Sequence, residues 1–176
     1  MKKVIVGIGI PGSGKTRVLK AFAEKNGYEY ICPDDLRQEL TGDAKDQSRN
    51  PEVWSIAKKQ LKNLLEQNES VVFDATFVDS EQRKDFLFFA RSSGADKIQG
   101  VFMDIPFEVA KERNEKRERI VPEQEMERMN ALLHGAPPEI TDGFDSLFVL
   151  NQSGELVRAE AKGKEGVIEK EFNQIH

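Results

Sequence analysis

The sequence predicts an α/β fold built on a central parallel sheet of about five strands with helices on both faces. Three observations carry that expectation. Apolar, β-branched runs alternate with segments of helical periodicity, the pattern of crossover connections. The first run, Val4-Ile5-Val6-Gly7-Ile8, has no polar position, as a strand buried on both faces requires. A glycine-rich loop follows that run, and a helical pattern follows the loop.

The elements read in order. Thr16 to Lys25 has Leu19, Phe22 and Ala23 at helical spacing and stops at Asn26-Gly27. Tyr28 to Cys32 is a second strand, and Pro33-Asp34-Asp35 opens a short helix through Leu40 with acidic residues in its first turn. Thr41 to Asn50 is polar apart from Ala44 and reads as a loop. Pro51 opens a long helix to about Glu66, and Val71-Val72-Phe73 is a third strand ending at Asp74. Glu81 to Arg91 is helical, with Phe86, Phe88 and Phe89 expected in the core. Ile98 to Met103 is a fourth strand, and Pro106 starts a helix that runs into charged residues from Lys111 to Arg119. Val121-Pro122 restarts a helix to about Leu133, and Phe144 to Leu150 is a fifth strand. Beyond it, Asn151-Gln152-Ser153-Gly154 fits a hairpin turn before Leu156-Val157, and Ile168, Phe172 and Ile175 fit one face of a short helix. The organisation is one domain over residues 1–150, with a lid near 113–121 and a tail over 151–176.

Composition narrows the class. The chain has 176 residues, 38% hydrophobic and 32% charged, enough for one core. A net charge of −5 excludes a generally basic nucleic-acid coat but leaves room for a local basic groove. Cys32 is the sole cysteine, so neither an internal disulfide nor a cysteine-based zinc site is possible. No apolar run approaches the ~20 residues of a membrane span. The stretch after Met1-Lys2-Lys3 is short, holds two glycines and lacks a small-residue cleavage site, so a cytoplasmic protein with no membrane partner is expected.

The strongest motif is Gly9-Ile10-Pro11-Gly12-Ser13-Gly14-Lys15-Thr16, which matches G-x-x-x-x-G-K-[ST] between a strand and a helix. Glycines let the backbone curl so that N–H groups converge on phosphate oxygens, and the next helix turns its positive end to the same anion. Gly12, Ser13, Gly14, Lys15 and Thr16 are therefore expected to hold the donor, ATP or another nucleoside triphosphate. Lys15 would reach the β- and γ-phosphates and the Thr16 hydroxyl would ligate Mg²⁺.

Kinase chemistry needs a carboxylate that orients an acceptor hydroxyl and takes its proton. Asp34, nearest the end of the second strand, is the favoured candidate over Asp35, and Arg37 lies on the same helix face, placed for an acceptor phosphate. Helix capping by Asp34 and Asp35, with a solvated Arg37, is the competing reading. Asp74 ends the third strand, where it could hold a magnesium-bound water or satisfy loop backbone; Thr76 is a candidate substrate contact. Arg83 is a further substrate-contact candidate or a surface arginine. Within the charged run, Arg113 and Arg117 are four apart, and a lid there would bring arginines to charge developing on the phosphoryl group. Trp54 and Phe77 are the stacking candidates.

These motifs, in this order and spacing, resemble the kinase domain of the bacteriophage-type polynucleotide 5′-kinases and related small P-loop kinases of bacteria and phages. The likeness runs through Asp34-Asp35-Leu36-Arg37, Asp74-Ala75-Thr76, Glu81-Gln82-Arg83, Asp104-Ile105-Pro106, Arg113-Asn114-Glu115-Lys116-Arg117 and Val121-Pro122. It implies a P-loop kinase fold with a helical lid, ATP and Mg²⁺ as cofactors, and a 5′-hydroxyl of DNA or RNA as acceptor. It further implies Asp34 as general base, Arg37 on the acceptor phosphate, and Arg117 on the donor phosphates with Arg113 in support. Phe77 stands where the family often has asparagine. The phage enzyme's C-terminal phosphatase domain has no counterpart in this length, so 3′-phosphatase activity is not expected. A kinase for a nucleoside, sugar or antibiotic hydroxyl, and a nucleotide-binding module without transfer chemistry, are the alternatives.

Overall fold

A computed structural model describes residues 1–163 of the chain. Six strands form one sheet in the order β2-β3-β1-β4-β5-β6. They are β1 (Lys3–Ile8), β2 (Glu29–Ile31), β3 (Val71–Asp74), β4 (Lys97–Met103), β5 (Ser146–Leu150) and β6 (Leu156–Ala161). The first five are parallel, and β6 returns antiparallel on β5 after the turn at residues 151–155. The sheet thus has one strand more than the five expected, because the chain past residue 150 adds a hairpin edge. The helix expected around Ile168, Phe172 and Ile175 lies outside the described residues.

Six helices connect the strands: α1 (Lys15–Asn26), α2 (Pro33–Thr41), α3 (Asn50–Glu66), α4 (Ser80–Ser92), α5 (Phe107–Glu115) and α6 (Glu123–Gly135). Strand periodicity divides the core. Val4, Val6 and Ile8 point to the face covered by α3, α4, α5 and α6, where they meet Leu61, Phe86, Ala110 and Met126. Ile5 points to the other face and packs with Leu19, Phe22 and Ala23 of α1. Phe86 is buried as expected, but Phe88, two positions further along α4, is 76% exposed, because about 200° of rotation turns it away from the core stripe. Among the described residues no helix is long and apolar enough to cross a membrane.

The sheet order positions the site. β1 lies between β3 and β4, so Gly7 sits beside Asp74 on one side and Val101 on the other. β2 lies beside β3, with Ile31 opposite Phe73. The segments leaving the carboxyl ends of β1, β2 and β3 therefore meet along one edge, the usual place for ligands in open α/β sheets.

Candidate active site

The chain leaves β1 through residues 9–14 and enters α1 at Lys15. Gly12 and Gly14 take the left-handed region, with φ of 82° and 87°. Gly12 also passes so close to the Ala110 carbonyl that any Cβ there would collide with it. The loop is thus pressed against α5 and cannot be rebuilt with larger residues. Gly9 N donates to Thr76 O at 3.1 Å and Ser13 N to Ile10 O at 3.1 Å, which hold the curl. The resulting cradle has a volume of about 260 Å³ and is walled by the loop, Thr76 and four arginines: Arg17 of α1, and Arg113, Arg117 and Arg119 of the lid region.

Asp74 forms the floor beside it. Its carboxylate accepts from Lys15 Nζ, from Thr16 Oγ1 at 2.7 Å and from the Tyr30 hydroxyl at 2.5 Å. Burial alone would push this carboxyl up, but the Lys15 ammonium and the three hydrogen bonds hold it below the usual carboxylate range. Burial and the Asp74 charge push the Tyr30 phenol well above its ordinary value, so it remains a donor. Thr16 and Asp74 are the oxygen donors beside the cradle that a hard divalent cation would use together with phosphate oxygens and water.

A second, larger cleft of about 570 Å³ adjoins the cradle and is shaped by α2, the loop before α3, α3 itself and the start of α6. Lys15, Thr16, Asp34, Thr76, Arg119 and Val121 line both cavities. Asp34 occupies the second position of α2, after Pro33, and its side chain is half-exposed between the two spaces. Arg37, only 4% exposed, donates from Nη1 to Asp34 and from Nη2 to Asn50 Oδ1 at 2.6 Å. Burial of Arg37 excludes the solvated alternative. Ser13 Oγ in the cradle and Arg37 Nε in the larger cleft are buried without a hydrogen-bond partner among the described residues. Such orphaned polar atoms call for a ligand or water.

The lid is positioned by a side chain the sequence motifs do not single out. α5 ends at Glu115, and the buried Asn114 amide bridges to Val121, donating to its carbonyl at 2.8 Å and accepting from its N–H at 3.1 Å. Residues 116–122 are pinched into an irregular loop rather than a helix, because Val121 precedes a proline and its backbone groups are satisfied sideways. Arg113 and Arg117 both reach the cradle, although helical spacing no longer relates them. The Arg113 guanidinium is spent on two carbonyls, Ser13 O at 3.4 Å and Gln152 O at 2.8 Å, which tie α5 to the loop and to the β5–β6 turn. Arg119 donates from Nη2 to Asp34 Oδ2 at 2.9 Å.

Two expectations need correction. Arg83 lies outside both clefts and is fully buried, donating to Asp142 Oδ2, Phe77 O and Ala136 O, each at 2.8 Å. It is neither a substrate contact nor a surface arginine; it braces the turn after β3. Phe77 is also buried, against Trp54, Phe73 and Phe86, so it offers no stacking face. Trp54 does line the larger cleft. Thr76 lines both spaces, and Asp79 caps α4 by accepting from Gln82 N at 2.9 Å. The sequence reading missed Tyr30, Asn50, Asn114 and Arg119. Asn114 and Arg119 left a trace, as members of the charged run from Lys111 to Arg119.

A family model described as an AAA domain (AAA_33) matches residues 4–136. The chain is similar to a protein of Acanthamoeba polyphaga mimivirus named as a bifunctional polynucleotide phosphatase/kinase, with 32% identity over 116 residues. Those residues are 66% of this chain and 24% of that protein, so the chain spans a small part of its length. Among solved structures, a chain of the Pnkp1/Rnl/Hen1 RNA repair complex superposes with a TM-score of 0.69 at 22% identity, covering 76% of this chain and 44% of its own. A sugar kinase from Janibacter sp. HTCC2649 gives 0.63 at 21% identity and covers 88% of both chains. A gluconokinase from Sinorhizobium meliloti 1021 gives 0.57 at 22% identity, covering 87% and 84%. The likeness to these structures is one of fold, and the fold is that of the small P-loop kinases.

Proposed function

The chain belongs to the AAA_33 family of AAA domains, and from that premise we propose that it is an ATP-dependent kinase that transfers the γ-phosphate to the 5′-hydroxyl of a polynucleotide. The observation that carries the proposal is the place of Asp34, at the junction of the phosphate cradle and the larger cleft, with buried Arg37 at its side. A hydroxyl entering the larger cleft meets this carboxylate before it meets the donor. The mimivirus relative's name fits that acceptor class.

In this reading the loop amides and Lys15 hold the β- and γ-phosphates, which requires Lys15 to exchange Asp74 for the donor. Mg²⁺, held by Thr16 and by Asp74 through water, would neutralise phosphate charge. Asp34 accepts the proton of the acceptor hydroxyl as its oxygen bonds to the γ-phosphorus; the bond to the β,γ-bridging oxygen breaks and ADP departs with that electron pair. Arg37 grips the phosphate on the 3′ side of the acceptor nucleotide. Arg117 faces charge on the group in transfer, with Arg113 bracing the lid from the loop carbonyl. An ATP donor and one unpaired cysteine fit the cytoplasm.

Incubation with γ-labelled ATP and a 5′-hydroxyl oligonucleotide tests the proposal. Labelled 5′ ends are expected, and Asp34→Asn should lower turnover by about 10²–10⁴ while ATP binding persists. Equal labelling by Asp34→Asn removes that residue from the chemistry, and no labelling of any oligonucleotide removes the acceptor. One observation favours a second reading: Glu125 lines the acceptor cleft and takes up Arg128 through two hydrogen bonds, at 2.9 and 2.5 Å. A carboxylate there suits a small polyol better than a polyanion. A panel of nucleosides, sugars and aminoglycosides in the same assay separates the two.

A further inference from the structure

Arg119 stands apart from the other cations of the site. It lies past the end of α5, on the irregular stretch that the Asn114 bridge closes, and its side chain is about a quarter exposed (28%). Lys15 is committed to Asp74, and Arg113 to two backbone carbonyls. Arg119 alone of the lid arginines takes the candidate base as its counter-ion, at 2.9 Å, and it does so from a position that lines the donor cradle as well as the acceptor cleft. With Arg37 on Asp34 Oδ1 and Arg119 on Oδ2, both oxygens of one carboxylate already accept charge-assisted hydrogen bonds. A carboxylate held in this way is badly placed to receive a hydroxyl proton.

We propose that Arg119 couples the two clefts: it neutralises Asp34 while the cradle holds no triphosphate, and moves to the γ-phosphate when one binds, so that the base opens to an acceptor only beside a loaded donor. The inference rests on the kinase reading of the site and assigns it an order, donor before acceptor. The physical basis is competition for one guanidinium fork. A γ-phosphate offers three oxygens and more charge than a single half-exposed carboxylate, and a planar fork matches its geometry. The side chain already borders both spaces, so the exchange needs no rearrangement of the sheet. Arg37 stays with Asp34 throughout, because its other nitrogen is fixed to Asn50 inside the cleft.

The test is nucleotide selectivity, read by titration calorimetry on the purified full chain with Mg²⁺ present. The quantity is the ratio of the Kd for ADP to the Kd for the non-hydrolysable β,γ-imido analogue of ATP. Arg119→Ala should cut that ratio by about three- to tenfold, the size of one partly exposed charge-assisted contact. ADP binding itself should be unchanged, which also shows that the variant is folded. Arg119→Lys, which keeps the charge and loses the fork, should fall between. A crystal of the wild type with the imido analogue should place the Arg119 guanidinium on the γ-phosphate and leave Asp34 bonded to Arg37 alone. An unchanged ratio, an equal loss for ADP, or an analogue complex with Arg119 still on Asp34 overturns the inference. A wild type that binds neither nucleotide overturns both this and the kinase reading. A shifted ratio in a chain that labels no oligonucleotide leaves the coupling standing and removes only the polynucleotide.

Discussion

Replacing Arg83 by methionine separates a structural brace from a substrate contact. The side chain has no exposed surface and makes three hydrogen bonds of 2.8 Å, one to the carboxylate of Asp142, whose side chain is itself only 5% exposed. Methionine fills most of the volume but leaves that carboxylate charged and unpaired, along with two carbonyls. Breaking a buried pair from one side costs about 3–5 kcal/mol. For a domain of this size that corresponds to a fall in Tm of roughly 10 °C. The double variant Arg83→Met, Asp142→Leu should recover part of the loss, since no charge is then stranded. Differential scanning calorimetry measures the fall, and steady-state kinetics at low temperature measures the acceptor KM, which should be unchanged in the folded fraction. A Tm within a degree of wild type together with a raised acceptor KM would refute the argument and return Arg83 to the substrate contacts.

Three further outcomes follow from the same structure. Gly12→Ala places a methyl group against the Ala110 carbonyl in a left-handed backbone, a strain of about 1–3 kcal/mol that should appear as a lower Tm and weaker ADP binding by calorimetry. The Cys32 thiol is pushed up to about 11, by burial first and then by the Asp74 charge. Iodoacetamide should therefore modify it about a hundredfold more slowly at pH 8 than an open thiol, and stability should decline as pH rises toward 11, because the unfolded thiol ionises first. Asp74 titrates below the ordinary carboxylate range in the folded chain, so its pairing with Lys15 stabilises at neutral pH and is lost as acid drives the pH down through that depressed value. Urea unfolding of wild type and Asp74→Asn between about pH 3 and pH 7 should show a shallower acid decline in the variant.

What the sequence revealed and what it hid divide along physical lines. The phosphate loop was legible because its constraint is local: glycines at Gly12 and Gly14, a lysine and a hydroxyl at fixed offsets, a strand before and a helix after. Asp34 and Arg37 were legible as a pair because three residues on a helix share a face, and the structure closes that hydrogen bond. The strand order was not legible, since nothing local to β1 says that β3 and β4 flank it. Arg83 was misread for the same reason. Its partners Ala136 and Asp142 are more than fifty residues away, and an arginine on an amphipathic helix is normally solvated. Tyr30 sits in a three-residue strand with no pattern to mark it, and its role exists only because β2 lies beside β3. Arg119 escaped because helical spacing was extended past the point where α5 stops.

The net charge of −5 would repel a polyanionic acceptor at long range, yet the relevant charge is the one the acceptor meets. The larger cleft is lined by five cationic residues, Lys15, Arg37, Lys45, Arg119 and Arg128, against three acidic ones, Asp34, Asp74 and Glu125. Lys15 is matched by Asp74 and Arg128 by Glu125, while Asp34 faces two arginines at once. One arginine and Lys45 are thus in surplus, and Lys45 has no ion-pair partner among the described residues. The cleft is basic by about two charges inside an acidic protein, which suits a short single-stranded end with two engaged phosphates. Each neutralised phosphate of a single strand contributes about −0.7 to the slope of log K against log salt, so oligonucleotide binding should show a slope of about −1.4. Fluorescence anisotropy across a salt series measures it, and Lys45→Ala should reduce it by about 0.7. A flat dependence would mean that the acceptor carries no phosphate into the cleft, and a slope several times steeper would mean that the strand runs over cations outside it.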